Sequence, residues 1–214
     1  MYMQLSEQEI IRRNTLKELI DLGIEPYPAQ RFDVNVTTAD IHAKFPENQS
    51  LFQEVSIAGR IMSRRIMGAA AFVELQDAHG RIQLYFKRDD ICSGDDKTLY
   101  NTVFKRFLDN GDIIGVQGFV FITQMGEVTI HAKSFTLLCK SLRPLPIVKE
   151  KEDKTFDAFT DPELRYRQRY VDLIVNPAVR DIFIKRSKMV NSMREFLNAK
   201  GYLEVETPVL QPLY

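Results

Sequence analysis

The sequence predicts a mainly β protein, in which a small five-stranded barrel with flanking helices is followed by the beginning of an α+β domain. Three observations support this prediction. Residues 54–140 contain five segments in which apolar residues alternate with polar ones, the period of a half-buried β-strand. One amphipathic helical segment separates the third of these segments from the fourth. After a charged connector, the apolar residues of the C-terminal part recur at helical spacing.

The composition is that of a globular protein, and its net charge does not indicate a particular kind of partner. The chain has 214 residues, of which 44% are hydrophobic and 27% charged, and 29 basic residues balance 29 acidic ones. This length fits one large domain or two small ones. No apolar run approaches the roughly 18 residues of a membrane-spanning helix, so no membrane partner is expected. Cys92 and Cys139 form neither a disulfide framework nor a zinc motif, which makes a reducing cytoplasm the expected location.

Residues 1–50 are predicted to be a helix with a lead-in to the barrel. Ser6 and Glu9 form a capping box at the start of the helix, and Gly23 suits the residue after its end. Its apolar residues recur at helical spacing: Ile10, Leu16, Leu19 and Ile20. Three cations are predicted on or near its polar side, where they either are solvated or contact phosphates: Arg12, Arg13 and Lys17.

Residues 51–141 are predicted to be the barrel. Its five strands are expected at residues 54–66, 71–76, 81–86, 112–123 and 127–140. Turns at residues 77–80 and 124–126 join two pairs of strands, and a helix is expected at residues 97–108. Five strands with a helix between the third and fourth is the order of an OB-fold, a Greek-key barrel that binds oligonucleotides. An unrelated five-stranded barrel would give a similar pattern.

Residues 142–160 are predicted to be a linker. Two prolines keep its first part extended, and the sequence KEKEDK at residues 149–154 alternates charge without any apolar residue. The linker is therefore expected to be a solvated connector.

Residues 161–214 are predicted to begin a second domain. Asp161 and Asn176 are candidate helix N-caps, each followed by proline. A long amphipathic helix is expected over residues 178–200, followed by a strand over residues 202–207. One helix and one strand cannot bury their apolar faces alone. Either the helix packs against the barrel, or the chain is part of a longer protein.

The first strands of the barrel carry the residue types that bind single-stranded nucleic acid: a flat ring, polar groups for a base edge and cations for phosphates. Phe72 opens the second strand beside small residues, and Gln83 is expected almost opposite it across the hairpin. Glu127 begins the fifth strand, which is expected to pack against the first. Phe72 alone would more simply be a core residue, so the indication lies in the combination.

The first strand carries three arginines. Arg60 and Arg64 share one side of the strand by parity, and Arg65 lies on the other side unless the strand bends.

Eight short motifs in this order resemble class II lysyl-tRNA synthetases, whose subgroup includes the aspartyl- and asparaginyl-tRNA synthetases. The motifs are AGR at 58–60, RRIMG at 64–68, FVELQD at 72–77, GRIQLY at 80–85, GE at 126–127, RPLP at 143–146, RYRQRYVDL at 165–173 and GYLEVETP at 201–208. The resemblance covers essentially the whole chain, as the N-terminal portion of such an enzyme ending just after the motif known as motif 1.

The resemblance implies that the barrel binds tRNA through a uridine-rich lysine anticodon. The central uridine would stack on Phe72 and form hydrogen bonds with Gln83. Glu127 and Arg65 match further anticodon-binding positions, and Arg64 is the neighbouring candidate.

The C-terminal residues resemble motif 1, a long helix and a strand ending at a proline, which builds the dimer interface in this family. Phe196, Gly201 and Pro208 are the residues expected at that interface, which implies a homodimer. The full-length enzyme would use ATP and Mg²⁺, but the motifs that bind them are expected beyond Tyr214. No catalytic, metal or nucleotide-binding residue is therefore assigned, and the chain alone is expected to be inactive.

Two alternatives remain open at this point. One is a fragment of an aspartyl- or asparaginyl-type synthetase, although RRIMG and RPLP look lysyl-like. The other is a non-catalytic OB-fold module for single-stranded nucleic acid with a helical dimerisation tail, which has no need for GYLEVETP.

Overall fold

The computed structural model describes residues 5–146, 149–151, 154–156 and 159–208. The chain divides into two units, Met1–Leu145 and Pro146–Tyr214.

The first unit contains the closed five-stranded barrel that the sequence predicts. Its strands are β1 (Val55–Met67), β2 (Ala70–Gln76), β3 (Arg81–Lys87), β4 (Ile113–Ile122) and β5 (Val128–Cys139). Their order around the barrel is β1–β2–β3–β5–β4, and only the β3–β5 pair is parallel.

The predicted packing of β5 against β1 is wrong. The first half of β1 pairs with β4, from Val55 opposite Gly118 to Arg60 opposite Ile113, and its second half pairs with β2. Because β4 already occupies that edge of β1, β5 closes the barrel by pairing with β4 and β3.

The core fills the barrel because each strand directs alternate side chains inward. In β2 the buried residues include Val73 and Leu75, and in β3 they are Ile82, Leu84 and Phe86. The intervening residues face outward. This alternation places the candidate site residues of both strands on one outer face.

The helix expected between the third and fourth strands is present as a wide-turned π-helix, Leu99–Phe107. Its aromatic residues enter the core: the ring of Phe104 lies 4.5 Å from that of Phe86 and 5.2 Å from that of Tyr100, centroid to centroid. The π-helix therefore contributes to the same core as the strands.

Three short elements were not predicted: α2 (Thr38–Lys44), a 3₁₀ turn (Gln49–Phe52) and α3 (Arg88–Ile91). Each is too short for its apolar residues to establish a helical period, and only α2 has another signal, the N-cap Thr37.

The N-terminal helix α1 (Glu7–Asp21) begins at the predicted capping box. Ser6 N donates to Glu9 Oε2 (2.9 Å), and Glu9 N donates to Ser6 Oγ (3.3 Å). Gly23, just past the helix, has the left-handed φ of 74° that favours glycine.

The prediction that Arg12 lies on or near the polar side of α1 is wrong. Its guanidinium is buried and donates to the carbonyl oxygens of Asn110 (3.0 Å), Ser141 (3.0 Å) and Arg143 (3.2 Å). The buried residues of α1 are Arg12, Thr15 and Leu19, whereas the predicted apolar residues Ile10 and Ile20 are exposed. Arg12 thus connects the helix to the end of the barrel instead of contacting solvent or phosphate.

An ion cluster lies where β5 ends. Lys140 Nζ donates to Phe107 O (2.6 Å), Asp109 Oδ2 (2.6 Å) and Asp112 Oδ2 (2.8 Å), so all three of its protons are used. The side chains of Lys140 and Asp112 are fully buried. Burial raises the pKa of Asp112, and the neighbouring Lys140 opposes that rise.

The predicted linker contains a small hairpin that was not expected. Strands β6 (Lys149–Lys151) and β7 (Lys154–Phe156) pair antiparallel. Backbone pairing does not require apolar side chains, so the charge pattern did not exclude it. Residues 147–148, 152–153 and 157–158 of the predicted linker lie outside the described residues.

The second unit contains three helices, α4 (Pro162–Arg167), α5 (Arg169–Val175) and α6 (Pro177–Ala199), in its described residues. Asp161 caps α4 as predicted, because its Oδ1 accepts from Leu164 N (2.8 Å). Asn176 does not cap α6 with its side chain. Its amide instead donates to the buried carboxylate of Asp172 (2.7 Å).

The long helix α6 exposes its apolar side chains, including Phe196 at 63%. Gly201 follows the helix with φ of 84°. The strand expected over residues 202–207 is not formed: residues 202–208 belong to no helix or strand. Pro208 is the last described residue. No helix among the described residues is long and apolar enough to cross a membrane.

Candidate nucleic-acid interface

A cleft of about 540 Å³ opens on the outer face of the barrel, beside β2, β3 and the β4–β5 turn. Four of the five predicted anticodon residues line it: Arg65, Phe72, Gln83 and Glu127. Residues from four separated stretches of the chain therefore meet at one surface.

The β2–β3 hairpin places Phe72 and Gln83 on the same face. The predicted near-pairing of these two residues is wrong by two positions, because Phe72 lies opposite Tyr85 and Gln83 lies opposite Glu74. A shift of two residues preserves the face, since strand side chains repeat every two residues. The half-buried ring of Phe72 lies 5.2 Å from that of Tyr85, centroid to centroid.

Asp77 holds the turn that sets this register. Its carboxylate accepts from the backbone N–H groups of Thr38 (2.8 Å), His79 (2.7 Å) and Gly80 (2.8 Å) and from the Thr38 hydroxyl (2.6 Å). Burial alone would raise the pKa of Asp77, but these hydrogen bonds lower it below its usual value. The turn is thus built around an ionised carboxylate.

The parallel pairing of β3 and β5 brings Gln83 to Glu127. Gln83 lies opposite Thr129, two residues after Glu127. Gln83 Nε2 donates to Glu127 Oε2 (2.8 Å), and Thr129 Oγ1 donates to Gln83 Oε1 (2.9 Å). Gly126, with φ of 84°, completes the turn that leads into Glu127. The side-chain amide of Gln83 is therefore hydrogen-bonded through both its nitrogen and its oxygen.

The arginines of β1 separate into two groups. Arg65 lies opposite Phe72 and is exposed at the cleft. Arg60 and Arg64 do not line it: Arg60 donates to Gly111 O (2.6 Å) and Arg64 to Phe104 O (2.7 Å). Burial lowers the pKa of Arg64. Arg64, the neighbouring candidate, therefore does not line the cleft, since its guanidinium is used within the fold.

Sequence reasoning missed several polar residues of the cleft. Arg81 Nη1 pairs with Glu74 Oε2 (3.2 Å), and His42 Nε2 lies 2.9 Å from Arg81 O. Glu74 and Arg81 share the outward parity of Phe72 and Gln83, which could have identified them. His42 comes from α2, whose start is marked in the sequence by the N-cap Thr37 with Asp40 three residues later, a signal that could have identified this helix.

A row of aromatic rings continues from Phe72 across the outer face of the barrel. Tyr85 meets His131 edge-on at 5.1 Å, and His131 stacks on Phe119 at 4.9 Å between centroids. Lys133 Nζ lies 5.5 Å from the centroid of Phe119. The cleft therefore borders further π-surface on a face that also carries positive charge.

The described residues contain no group of three or more His, Cys, Asp or Glu side chains that could hold a metal ion. The residues that line the cleft offer an aromatic ring for stacking, side-chain groups for hydrogen bonds, and charge.

Two family models match the chain. Residues 55–138 match the OB-fold nucleic acid binding domain, and residues 161–214 match the class II tRNA synthetases of the D, K and N group. The chain thus combines an OB-fold nucleic-acid-binding domain with the start of a class II synthetase domain.

The full-length relatives that it resembles are lysine–tRNA ligases. It is 59% identical to that of Porphyromonas gingivalis and 56% identical to that of Christiangramia forsetii, over 99% of this chain and 37% of each relative. The lysine–tRNA ligase of Azobacteroides pseudotrichonymphae is 58% identical over 98% of this chain and 42% of the relative. The chain therefore spans less than half the length of these relatives. The lysyl resemblance indicated by the motifs is confirmed, and the two alternatives are not supported.

Proposed function

We propose that this chain is the anticodon-binding part of a lysine–tRNA ligase and that its cleft binds a uridine-rich anticodon. The observation that carries the proposal is the meeting of the Phe72 ring, the hydrogen-bonded pair of Gln83 and Glu127, and the exposed Arg65 in one cleft.

Each of these groups has a distinct task. Stacking on Phe72 supplies affinity of about 1–3 kcal/mol but tolerates any base. Discrimination must come from the amide of Gln83, which Glu127 supports, because a base with the wrong edge cannot complete the hydrogen bonds that this amide still offers. Arg65 supplies positive charge for the phosphate backbone.

The proposal for the whole protein is attachment of lysine to tRNA with ATP and Mg²⁺, in the cytoplasm, by a homodimer. The exposed apolar side of α6, with Phe196, would contribute to the dimer interface, followed by Gly201 and Pro208. No step of lysine activation or transfer is assigned to the residues of this chain.

Gln83→Ala tests whether the side chain of Gln83 recognises the central base. We expect the variant to bind a stem-loop with central uridine more weakly and to narrow its preference over loops with central cytidine or adenosine. The reason is that stacking on Phe72 remains while the edge contact is lost. Fluorescence anisotropy with labelled stem-loops measures both effects. Gln53→Ala, which removes an exposed amide away from the cleft, is the matched control. A preference for uridine that survives in Gln83→Ala would contradict the proposal.

The 214-residue polypeptide by itself is expected to bind the stem-loop but not to form lysyl-adenylate. The reason is that its cleft provides stacking and hydrogen bonding, and that the chain spans less than half the length of the lysine–tRNA ligases it resembles. Lysine-dependent ATP–pyrophosphate exchange is the measurement, and stem-loop binding by the same preparation shows that the barrel is folded. Exchange that requires lysine would refute this part of the proposal.

A further inference from the structure

We propose that Glu127 and Thr129 fix the side-chain amide of Gln83 in one orientation and thereby make the cleft selective for a base with a keto–imino edge, such as uracil. Thr129 is a positioning residue, since it acts through Gln83. The inference rests on the proposed function and specifies how its site chooses a base.

The two neighbours of the amide have different hydrogen-bonding capacities. An ionised carboxylate only accepts hydrogen bonds, so Glu127 requires the NH₂ end of Gln83, which it meets at 2.8 Å. The amide oxygen then lies at the Thr129 hydroxyl, which donates to it at 2.9 Å. A flipped amide would place its oxygen against the carboxylate of Glu127, and the two acceptors would repel each other.

Thr129 holds the orientation that Glu127 sets. The hydroxyl of Thr129 is fully buried and cannot turn to solvent. Its second contact is Glu127 O at 3.3 Å, which is longer than its contact with Gln83. The parallel register, with Thr129 directly opposite Gln83, keeps this hydroxyl at the amide.

A fixed amide presents a fixed order of groups to a base. Each neighbour uses one site of the amide, which leaves one N–H on Nε2 and one lone pair on Oε1. Uracil can accept from the N–H of Gln83 with its O4 oxygen and can donate its N3–H to Gln83 Oε1. Cytosine, stacked in the same position, presents an amino donor where the carbonyl would be, so donor meets donor. Cytosine would require the flipped amide that Glu127 disfavours.

The test compares two stem-loops that differ only in uridine or cytidine at the central position. Because these bases have nearly the same size, their affinity ratio reports the edge contact and not the stacking. We expect Thr129→Val, which keeps the volume but removes the hydroxyl, to reduce the ratio about fivefold, the effect of one neutral hydrogen bond. Thr129→Ser restores the hydroxyl and should keep the wild-type ratio.

Glu127→Gln supplies an independent test on an exposed residue, where folding is not at risk. A carboxamide can donate as well as accept, so the amide of Gln83 becomes free to flip. We expect the uridine-to-cytidine ratio to fall at least as far as in Thr129→Val.

The possible outcomes separate the inference from the proposed function. A wild-type chain that does not distinguish the two loops overturns both. A selective wild type with an unchanged ratio in Thr129→Val and in Glu127→Gln overturns the inference alone. An equal loss of affinity for both loops in Thr129→Val also overturns it, because that is the result of a merely structural role.

Discussion

Replacing Lys140 with methionine is expected to lower the free energy of unfolding by about 3–5 kcal/mol, the usual result of removing one partner from a buried ion pair. Lys140 Nζ satisfies two carboxylates and one carbonyl, and the side chains of Lys140 and Asp112 are inaccessible to water. The variant leaves the carboxylate of Asp112 buried without its cation. Urea-induced unfolding followed by circular dichroism measures the change.

Lowering the pH should partly restore the stability that Lys140→Met loses. Burial raises the pKa of Asp112 from its ordinary 3.8, and the loss of Lys140 removes the charge that opposes the rise. A carboxyl with a raised pKa favours the folded state at low pH, and this contribution is lost as the pH rises through the folded-state pKa. The deficit of Lys140→Met should therefore shrink as the pH approaches about 4.

Two controls accompany this variant. Lys133→Met removes an exposed lysine of β5, the strand that ends just before Lys140, and should change the free energy of unfolding by no more than about 0.5 kcal/mol. The double variant with Asp112→Asn, in which both charges are gone, should be more stable than Lys140→Met alone. A deficit in Lys140→Met that is small and independent of pH would contradict a buried, charge-dependent cluster.

Phe72→Ala is expected to weaken binding of a uridine-rich anticodon stem-loop by about 1–3 kcal/mol, since it removes the π-face on which a base stacks. The ring is only half-buried and lines the cleft, so truncation should alter binding more than folding. Isothermal titration calorimetry gives the affinity, and thermal unfolding monitors the barrel.

Two further variants distinguish stacking from a general loss of apolar surface. Phe72→Tyr keeps an aromatic face and should bind nearly as well as the wild type. Leu51→Ala removes exposed apolar surface outside the cleft and should not affect binding. If Phe72→Ala bound the stem-loop with wild-type affinity, the cleft would not be the site of base stacking.

The strands of the barrel were predictable from the sequence to within one residue at each end. Alternation is a local property, and the barrel strands keep it because one face meets the core and the other meets solvent. The expectation that Phe72 faces outward with Gln83 came from the combination of residue types in the first strands, since Phe72 alone would more simply be a core residue. Fold and family were therefore accessible from the order of local patterns.

Properties that depend on how distant segments pair were not predictable. The register of the hairpin depends on how Asp77 anchors the turn, and the neighbour of β5 depends on which strand edge remains free. Arg12 was assigned to the polar side of α1 because its charge suggests solvent, whereas its two terminal nitrogens donate to three carbonyl oxygens at the end of the barrel. Thr129 has no motif of its own, since its contact with Gln83 exists only through parallel pairing.

The parallel β3–β5 pair also governs when the cleft can exist during synthesis. Gln83 and Glu127 are 44 positions apart, so Gln83 leaves the ribosome well before its partner. Long-range contacts of this kind form late, because the loop between them must close first. A nascent chain that ends before β5 thus exposes Phe72 but has no carboxylate to orient the amide beside it. If the cleft selects a base as proposed, that selectivity is acquired only when the last strand docks, and an anticodon bound there would in turn favour the closed barrel over its open forms.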